Sequence, residues 1–472
     1  MILLGSSMNR WLEVGLVGAV CVAVLGFGGT VPWIFAVTQV LVLGLAVCFL
    51  LTGEFRGARL DRFPLAIPFL LVAFVLFEIC PLPIFLAPLF GRGRDAIAGA
   101  SHFTISLARY QTTSHLLLLV TDVTAFCLTL LLCQDRHAKK RLVFALLSLG
   151  AFEAGYGLIQ YLTGWQQIFT YVKKYYLEEA TGTYINRNHF AGFLEMIFPF
   201  AVVFALRSAR LLLKNSSGGA RTLRRIASSR EVIAVVFWLF LAMLLFAALV
   251  FSRSRMGLVS ALVSLAAMLT LAGTSSLRGR TRAAIAALFL FGVLGLSAWI
   301  GIEPVISRFE TLGQEYNLKS ENRLAIWRDT LALIHQHPFL GTGLGTFSVA
   351  YTSVQSVFLN LLVDHAHCDY LEVVSELGLP VGLLVFASIF WILARAVRRY
   401  RGMEDRFEAA VCLGSIGSIA AILVHSLADF NLYIPANALV FTVALALARK
   451  GRESAELTTG DVAASLSNRS SG

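Results

Sequence analysis

The stretch "TGTYINRNHFAGFLEMIFPF", residues 181–200, passes from a polar cluster directly into an apolar helical pattern. The apolar part continues to residue 210, which makes it long enough for one helical crossing of a lipid bilayer. Runs of roughly 18 to 22 apolar residues recur along the whole sequence. Outer-membrane strands would give short alternating segments instead, so the pattern predicts a helical protein that crosses the membrane many times.

The composition points the same way: 57% of the 472 residues are hydrophobic and 14% are charged, whereas a soluble domain carries about 25% charged residues. We predict an all-α polytopic fold in which residues 1–472 form a single membrane domain of about twelve transmembrane helices. The first span is predicted to be uncleaved, because no convincing small-residue cleavage site accompanies it. The predicted spans are 11–28, 31–51, 64–86, 115–133, 141–163, 190–210, 231–251, 255–272, 283–302, 379–397, 408–428 and 433–449.

The formal net charge of +11 is explained by the distribution of basic residues between the loops. With the N-terminus placed in the cytoplasm, about two-thirds of the 39 lysines and arginines fall on inner segments, as the positive-inside rule requires. This orientation predicts cytoplasmic termini, with a flexible tail over residues 453–472, and a large periplasmic loop over residues 303–378 that contains two helices. Because topology accounts for the charge, nucleic acid is excluded as a partner.

Neither disulfides nor metal sites are indicated by the sequence. The seven cysteines show no CxxC spacing, and all but Cys368 lie in or beside apolar runs, where small core residues are common. No set of residues shows a familiar metal-ligand spacing, and no DxD motif of metal-dependent sugar transferases occurs. We therefore predict that the protein uses no metal and no other cofactor.

Two basic clusters lie on predicted outer segments, where topology gives arginine no reason to be. In "NRNH", Arg187, Asn188 and His189 offer donors suited to phosphate or sugar oxygens, although a polar helix cap with an interfacial arginine would look similar. In "SRSR", Arg253 and Arg255 lie at a tight junction between two spans. An arginine inside a span costs about 2.5–3.5 kcal/mol at its centre. The pair therefore predicts an anionic ligand such as pyrophosphate, with snorkelling side chains as the alternative.

The predicted periplasmic loop carries the best candidates for proton chemistry. Arg323 and Trp327 are four residues apart and share one helix face, although such a tryptophan more often packs against protein or membrane. In "DHAHCDY", residues 364–370, His367 opens the second predicted helix, with Asp369 two residues later and His365 two residues earlier. A neutral imidazole can accept a proton from a hydroxyl group near neutral pH. His367 is therefore the predicted general base, with substrate binding as the alternative role.

Four pieces of the sequence, in this order, resemble the O-antigen ligase and polymerase superfamily of bacterial envelope enzymes. They are "GTYINRNHFAGFL", "SRSRMGLVSALVSL", "ENRLAIWRDTLALIHQHPFLGTGLGTF" and "HAHCDYLEVVSELGLPVGLLVF". The resemblance implies a GT-C-like membrane glycosyltransferase of the bacterial inner membrane, metal-independent and with its active site facing the periplasm. The implied donor is a glycan linked to undecaprenyl pyrophosphate. The implied acceptor is lipid A–core in ligases, another lipid-linked glycan in polymerases, or protein in close relatives.

The resemblance also assigns roles to matching positions. It implies that His367 is a catalytic residue and that Arg253, Arg255 and Arg323 bind the pyrophosphate. Arg253 and Arg323 are predicted to be catalytic as well. Cys368 stands where the family usually has asparagine, which puts the sugar-binding role of that position in doubt. The predicted substrate-binding residues are Arg187, Asn188, His189, Arg255, Trp327, His365 and Asp369.

Two choices stay open at this point. A transporter of an anion or a lipid-linked precursor is the alternative to an enzyme, but it would place charges near the bilayer midplane in matched halves of the chain. Within the enzyme class, neither the number of spans nor the motifs separate ligase from polymerase.

Overall fold

The computed structural model describes residues 2–52, 62–90, 101–215, 230–273, 312–356 and 362–449. Its helices are α1 (Ile2–Leu25), α2 (Pro32–Leu51), α3 (Arg62–Glu78), α4 (Arg109–Leu132), α5 (Arg136–Thr163), α6 (Arg187–Asn215), α7 (Arg230–Phe251), α8 (Arg255–Gly273), α9 (Leu312–Gln336), α10 (Phe347–Ala350), α11 (Asp369–Tyr400), α12 (Arg406–His425) and α13 (Pro435–Leu447). Two short antiparallel hairpins pair β1 (Leu82–Pro83) with β2 (His102–Phe103), and β3 (Gln167–Ile168) with β4 (Tyr171–Val172). Short 3₁₀ turns include Asn431–Tyr433.

The chain is an all-α polytopic membrane protein. Among the described helices, 8 are long and apolar enough to cross a membrane, and two shorter apolar helices cover Ala66–Glu78 and Pro435–Leu447. Every predicted span on described residues coincides with a helix, whereas the span 283–302 and the tail 453–472 lie outside them. The predicted span 64–86 extends too far, because its helix ends at Glu78, before the prolines at positions 81 and 83.

Ion pairs join the helices at the predicted cytoplasmic end of the bundle. Arg136 at the start of α5 lies 2.7 Å from Asp405, which caps α12 by accepting hydrogen bonds from two backbone amides. Arg141 of α5 contacts Glu13 of α1 through two hydrogen bonds of 2.6 Å. These contacts link α5 to both α1 and α12. They thereby help to set where these helices end on the opposite side of the bundle.

Helix α6 occupies the centre of the bundle, with its membrane-spanning part buried throughout. It packs closely against α12 because small residues of α12 face it. A Cβ atom at Gly414 would lie 2.5 Å from the Phe200 ring, and one at Gly417 would lie 2.8 Å from Pro199. This close approach brings the polar ends of the two helices together.

Helix α11 contains a sharp kink where the sequence predicts a helix end. Gly378 adopts φ 75° and ψ 164°, and the helix resumes at once with Pro380 in its first turn. The segment "GTGLGTF", residues 341–347, forms a turn that contacts this kink. The Gly343 amide donates to the Glu376 carbonyl at 2.9 Å. The predicted span 379–397 is thus the second half of a longer helix that starts within the candidate site.

Candidate functional site

His367 lies immediately before the residue that caps α11, in the left-handed region with φ 50°. This backbone conformation turns its ring edge-on against Phe430, with centroids 5.1 Å apart. Nδ1 faces Asp429 Oδ1 at 3.9 Å, and 31% of the side chain is exposed. With Nδ1 turned toward a carboxylate, Nε2 is the ring nitrogen left for a substrate hydroxyl.

Asp429 follows the end of α12 and is buried among imidazole rings. Burial alone would raise the pKa of its carboxyl group, but the interaction with His367 and the charges of His189 and His425 hold that pKa well below its usual range. Asp429 is therefore a carboxylate at neutral pH. A fixed negative charge beside His367 stabilises the imidazolium that forms when His367 accepts a proton.

His365 has a different protonation state from the one expected of a base. Its Nδ1 donates to Glu372 Oε1 at 2.6 Å, and its ring stacks on Phe430 at a centroid distance of 3.9 Å. Burial lowers the pKa of His365, but the charge and hydrogen bond of Glu372 outweigh it and raise the pKa to about 9. His365 is thus an imidazolium near neutral pH, suited to donate hydrogen bonds rather than to accept a proton.

Asp369 is engaged inside the protein. Its carboxylate accepts a 2.6 Å hydrogen bond from Ser426 Oγ and a 3.3 Å bond from the Leu432 amide, and its own amide donates to the carbonyls of Ser426 and Asp429. These bonds join the start of α11 to the segment after α12. Asp369 therefore fixes the position of the loop that carries Asp429.

Arg187 opens α6 and is largely buried. Its Nη1 donates to Glu179 Oε1 at 2.6 Å, and its guanidinium lies over the Tyr176 ring at 5.4 Å. Burial raises the pKa of Tyr176, and the charges of Arg187, Arg323 and Asp429 all act on the same hydroxyl. These three charged groups consequently share one polar region.

Arg253 lies in the turn between α7 and α8, in the left-handed region with φ 54°. Its Nη1 contacts Glu178 Oε2 at 3.2 Å, and 82% of the Glu178 side chain is exposed. Arg255, two residues later, is exposed at the start of α8. Because the Glu178 carboxylate is already in contact with solvent, an anionic ligand could displace it from Arg253 without leaving a buried carboxylate unpaired.

Arg323 and Trp327 connect α9 to the rest of the site. Arg323 Nη1 donates to the Ala428 carbonyl at 3.2 Å, one residue before Asp429. Trp327 Nε1 donates to the Ala366 carbonyl at 3.0 Å, one residue before His367. The two residues thus hold the backbone on either side of the His367–Asp429 pair.

The start of α6 completes the cluster. The Asn188 amide donates to Asn186 Oδ1 at 2.9 Å, an Asx contact at the helix start, and the Asn188 side chain is half-buried. His189 is buried with its ring edge-on to Phe430 at 4.8 Å. Phe430 therefore has three histidine rings packed around it, two from the segment before α11 and one from the start of α6.

Residues 239–387 match the family model described as O-Antigen ligase. The resemblance to the O-antigen ligase and polymerase superfamily is thereby confirmed. The match covers the turn with Arg253 and Arg255, the described part of α9, and the histidine-led start of α11. It supports glycosyl transfer of the O-antigen ligase and polymerase type in general. No curated protein matches the chain.

The O-antigen ligase region supplies one part of the site, and residues outside the matched range supply the rest. Around Phe430 the fold gathers His365 and His367 with His189 and Asp429. Among the residues described, no group of three or more His, Cys, Asp or Glu side chains could hold a metal ion.

Sequence reasoning missed Phe430, Glu372 and Glu195. A phenylalanine near the end of an apolar span gives no signal of its own, because it is typical of membrane helices. Glu372 did carry a signal, since it lies in the first turn of α11 seven residues after His365. Glu195 carried another, because an acidic residue within an apolar span is rare and usually functional.

Proposed function

We propose that the protein is a metal-independent glycosyltransferase, which transfers a glycan from undecaprenyl pyrophosphate to an acceptor hydroxyl. The observation that carries this proposal is the His367–Asp429 pair. A partly exposed imidazole with one nitrogen facing a permanent carboxylate is the arrangement a general base needs. The family match supports this class of reaction.

The proposed reaction is a single displacement at the anomeric carbon. The acceptor oxygen forms a bond to that carbon while its proton passes to His367 Nε2. The bond between the anomeric carbon and the phosphate oxygen breaks, and its electron pair leaves with undecaprenyl pyrophosphate. Arg253, Arg255 and Arg323 stabilise the charge that develops on the leaving group, since guanidinium meets phosphate oxygens in a bidentate manner.

The other predicted contacts have distinct places in this proposal. His365, as an imidazolium, and Arg187 donate to phosphate or sugar oxygens, and Asn188 and His189 line the same side. Trp327 and Asp369 act by holding the backbone near His367 and Asp429. The reaction takes place on the periplasmic face of the bacterial inner membrane, where lipid A–core or a second lipid-linked glycan is the acceptor.

The test is to measure glycan transfer and donor binding by purified His367→Ala in liposomes, with EDTA present because the mechanism needs no metal. General-base help contributes about 10²–10⁴ in rate, so transfer should fall by that factor while donor binding persists. His335→Ala, which removes an exposed histidine of α9, is the matched control and should behave like wild type. Normal transfer by His367→Ala would refute the proposed role.

A deletion strain separates the remaining alternatives. Loss of all polymer from lipid A indicates a ligase, and a single capped repeat indicates a polymerase. An unchanged surface glycan, with accumulation of an untransported anion or precursor, would favour the transporter instead.

A further inference from the structure

Behind Asp429 lies a second acid–imidazole pair that the proposed mechanism does not use. Glu195 of α6 and His425 of α12 are fully buried, and His425 Nδ1 donates to Glu195 Oε2 at 3.0 Å. Ionisable side chains within membrane helices are costly and are usually retained for function. The close packing of α6 on α12 at Gly414 and Gly417 is what allows the two groups to meet.

The pair is aligned with the candidate base. The other ring nitrogen of His425, Nε2, faces Asp429 Oδ2 at 3.9 Å, while Asp429 Oδ1 faces His367 Nδ1 at 3.9 Å. Each oxygen of Asp429 is therefore directed to a different imidazole. The four side chains form one row, in the order Glu195, His425, Asp429, His367.

Unsatisfied atoms mark the same row. Within the part of the chain that the structure describes, four buried atoms in it lack a hydrogen-bond partner: Glu195 Oε1, His425 Nε2, Asp429 Oδ2 and His367 Nδ1. Buried polar atoms without partners are uncommon in proteins and call for an explanation. Here His425 Nε2 faces Asp429 Oδ2, and His367 Nδ1 faces Asp429 Oδ1, each across a gap of 3.9 Å. Both gaps are about 1 Å too long for a hydrogen bond, so a small closure would join the row.

We propose that Glu195 and His425 are positioning residues for the glycosyl transfer, which hold Asp429 as a carboxylate turned toward His367. The inference rests on the proposed function of this site. With one proton shared between Glu195 and His425, the row Glu195–His425–Asp429–His367 carries one net negative charge before the reaction. When the acceptor proton reaches His367 Nε2, that charge is neutralised, so the row stabilises the imidazolium.

Other titratable groups near Asp429 do not replace His425. They include His189, Asp369 and Tyr176. His189 Nε2 lies 3.5 Å from the Asn186 amide nitrogen, and Asp369 already accepts from Ser426. Within the described ranges, His425 is the imidazole that faces the second oxygen of Asp429. Replacing His425 should therefore lower the rate of glycosyl transfer through its effect on Asp429.

The experiment measures kcat and KM for transfer by the full-length protein in liposomes, with His425→Gln and Glu195→Gln. Both variants should lower kcat by about tenfold or more, because they remove part of the rate contribution of the general base. The KM for the donor should stay within about twofold of the wild-type value. Ser418→Ala, a buried change two turns earlier in α12, is the control and should keep wild-type kinetics. If His425→Gln does not fold, His425→Asn is measured against the same criteria.

Combining His425→Gln with Asp429→Asn distinguishes a positioning role of His425 from a purely structural role. In an Asp429→Asn background, His425→Gln should cause no further loss of kcat, because its effect passes through the carboxylate already removed. Wild-type kcat in both single variants would overturn the inference, and so would an equal further loss in the Asp429→Asn background. Activity of His367→Ala would instead refute the proposed function, so the two failures are distinguishable.

Discussion

Replacing Asp429 by asparagine removes one charge from the site and keeps the shape of the side chain. His367 Nδ1 lies 3.9 Å from the Asp429 carboxylate, so the imidazolium formed during transfer interacts directly with that charge. Two unit charges at this distance attract by about 4 kcal/mol at an effective dielectric constant of about 20, and by about 1 kcal/mol in water. The Asp429 side chain is buried and that of His367 is partly exposed, so the true value lies between these limits.

The expected loss follows from this range. A change of about 1.4 kcal/mol in the barrier alters the rate tenfold, so Asp429→Asn should lower kcat by between about fivefold and about 10³. Donor affinity should change little, because Arg187 and Arg253 form their ion pairs with Glu179 and Glu178. The asparagine side-chain oxygen can still accept the hydrogen bond that the Phe430 backbone amide donates to Asp429 Oδ1 at 2.9 Å, so folding should be retained.

The assay is transfer of a lipid-linked glycan by protein in liposomes, with donor binding measured separately. Asp364→Asn is the matched control, since it removes an exposed carboxylate from the same segment as His367 and should leave kcat within about twofold, as expected for an exposed charge. A wild-type kcat in Asp429→Asn would refute the electrostatic argument. An equal loss in Asp364→Asn would show that general charge in this segment, and not the facing carboxylate, is responsible.

Four further predictions follow from separate features. Arg253→Lys keeps the charge but loses the bidentate geometry, so transfer should fall by at least about tenfold; a normal rate would reassign Arg253 to membrane anchoring. Because the pKa of His365 is raised to about 9, its ion pair with Glu372 stabilises the fold at pH 6, and this stability is lost as the pH rises through about 9. The thermal midpoint in detergent should therefore fall between pH 6 and pH 9. Glu372→Gln should make the thermal midpoint less dependent on pH. Gly378→Ala forces a side chain into φ 75°, with a clash against a backbone carbonyl, so it should destabilise by at least about 1–3 kcal/mol; an unchanged thermal midpoint would contradict this reading. Thr352 is exposed in the predicted periplasmic loop. In a protein whose native cysteines are replaced by alanine, Thr352→Cys should react with an impermeant thiol reagent in intact spheroplasts. Labelling only after lysis would mean that the orientation in the membrane is the reverse of the predicted one.

The sequence alone determined the class of the protein and the position of most of its helices. Apolar runs of spanning length require no knowledge of neighbours, because a helix in lipid satisfies its backbone hydrogen bonds within its own segment. For the same reason the described helices follow the predicted spans closely, with differences where proline and glycine act. The α3 helix stops at Glu78, and α11 passes through the kink at Gly378 instead of ending there.

Local motifs also identified individual residues of the site, but not their partners. His367 stood out because histidine and acidic residues cluster around it in sequence. Its partner in the structure is nevertheless Asp429, which is 62 residues away, rather than Asp369 two residues later. Asp369 points into the protein, because α11 begins there and its first turn is anchored to the segment after α12.

The row from Glu195 to His367 was decided by tertiary structure. Its members come from α6, from the end of α12 and the residues after it, and from the loop before α11. Only His425 and Asp429, four residues apart, are related by their spacing in the sequence. The members of the row meet because glycines of α12 let it approach α6, and because Phe430 gives the histidine rings a common surface to pack on. Helical periodicity is a property of one segment, whereas the distance between two buried charges depends on how whole helices pack.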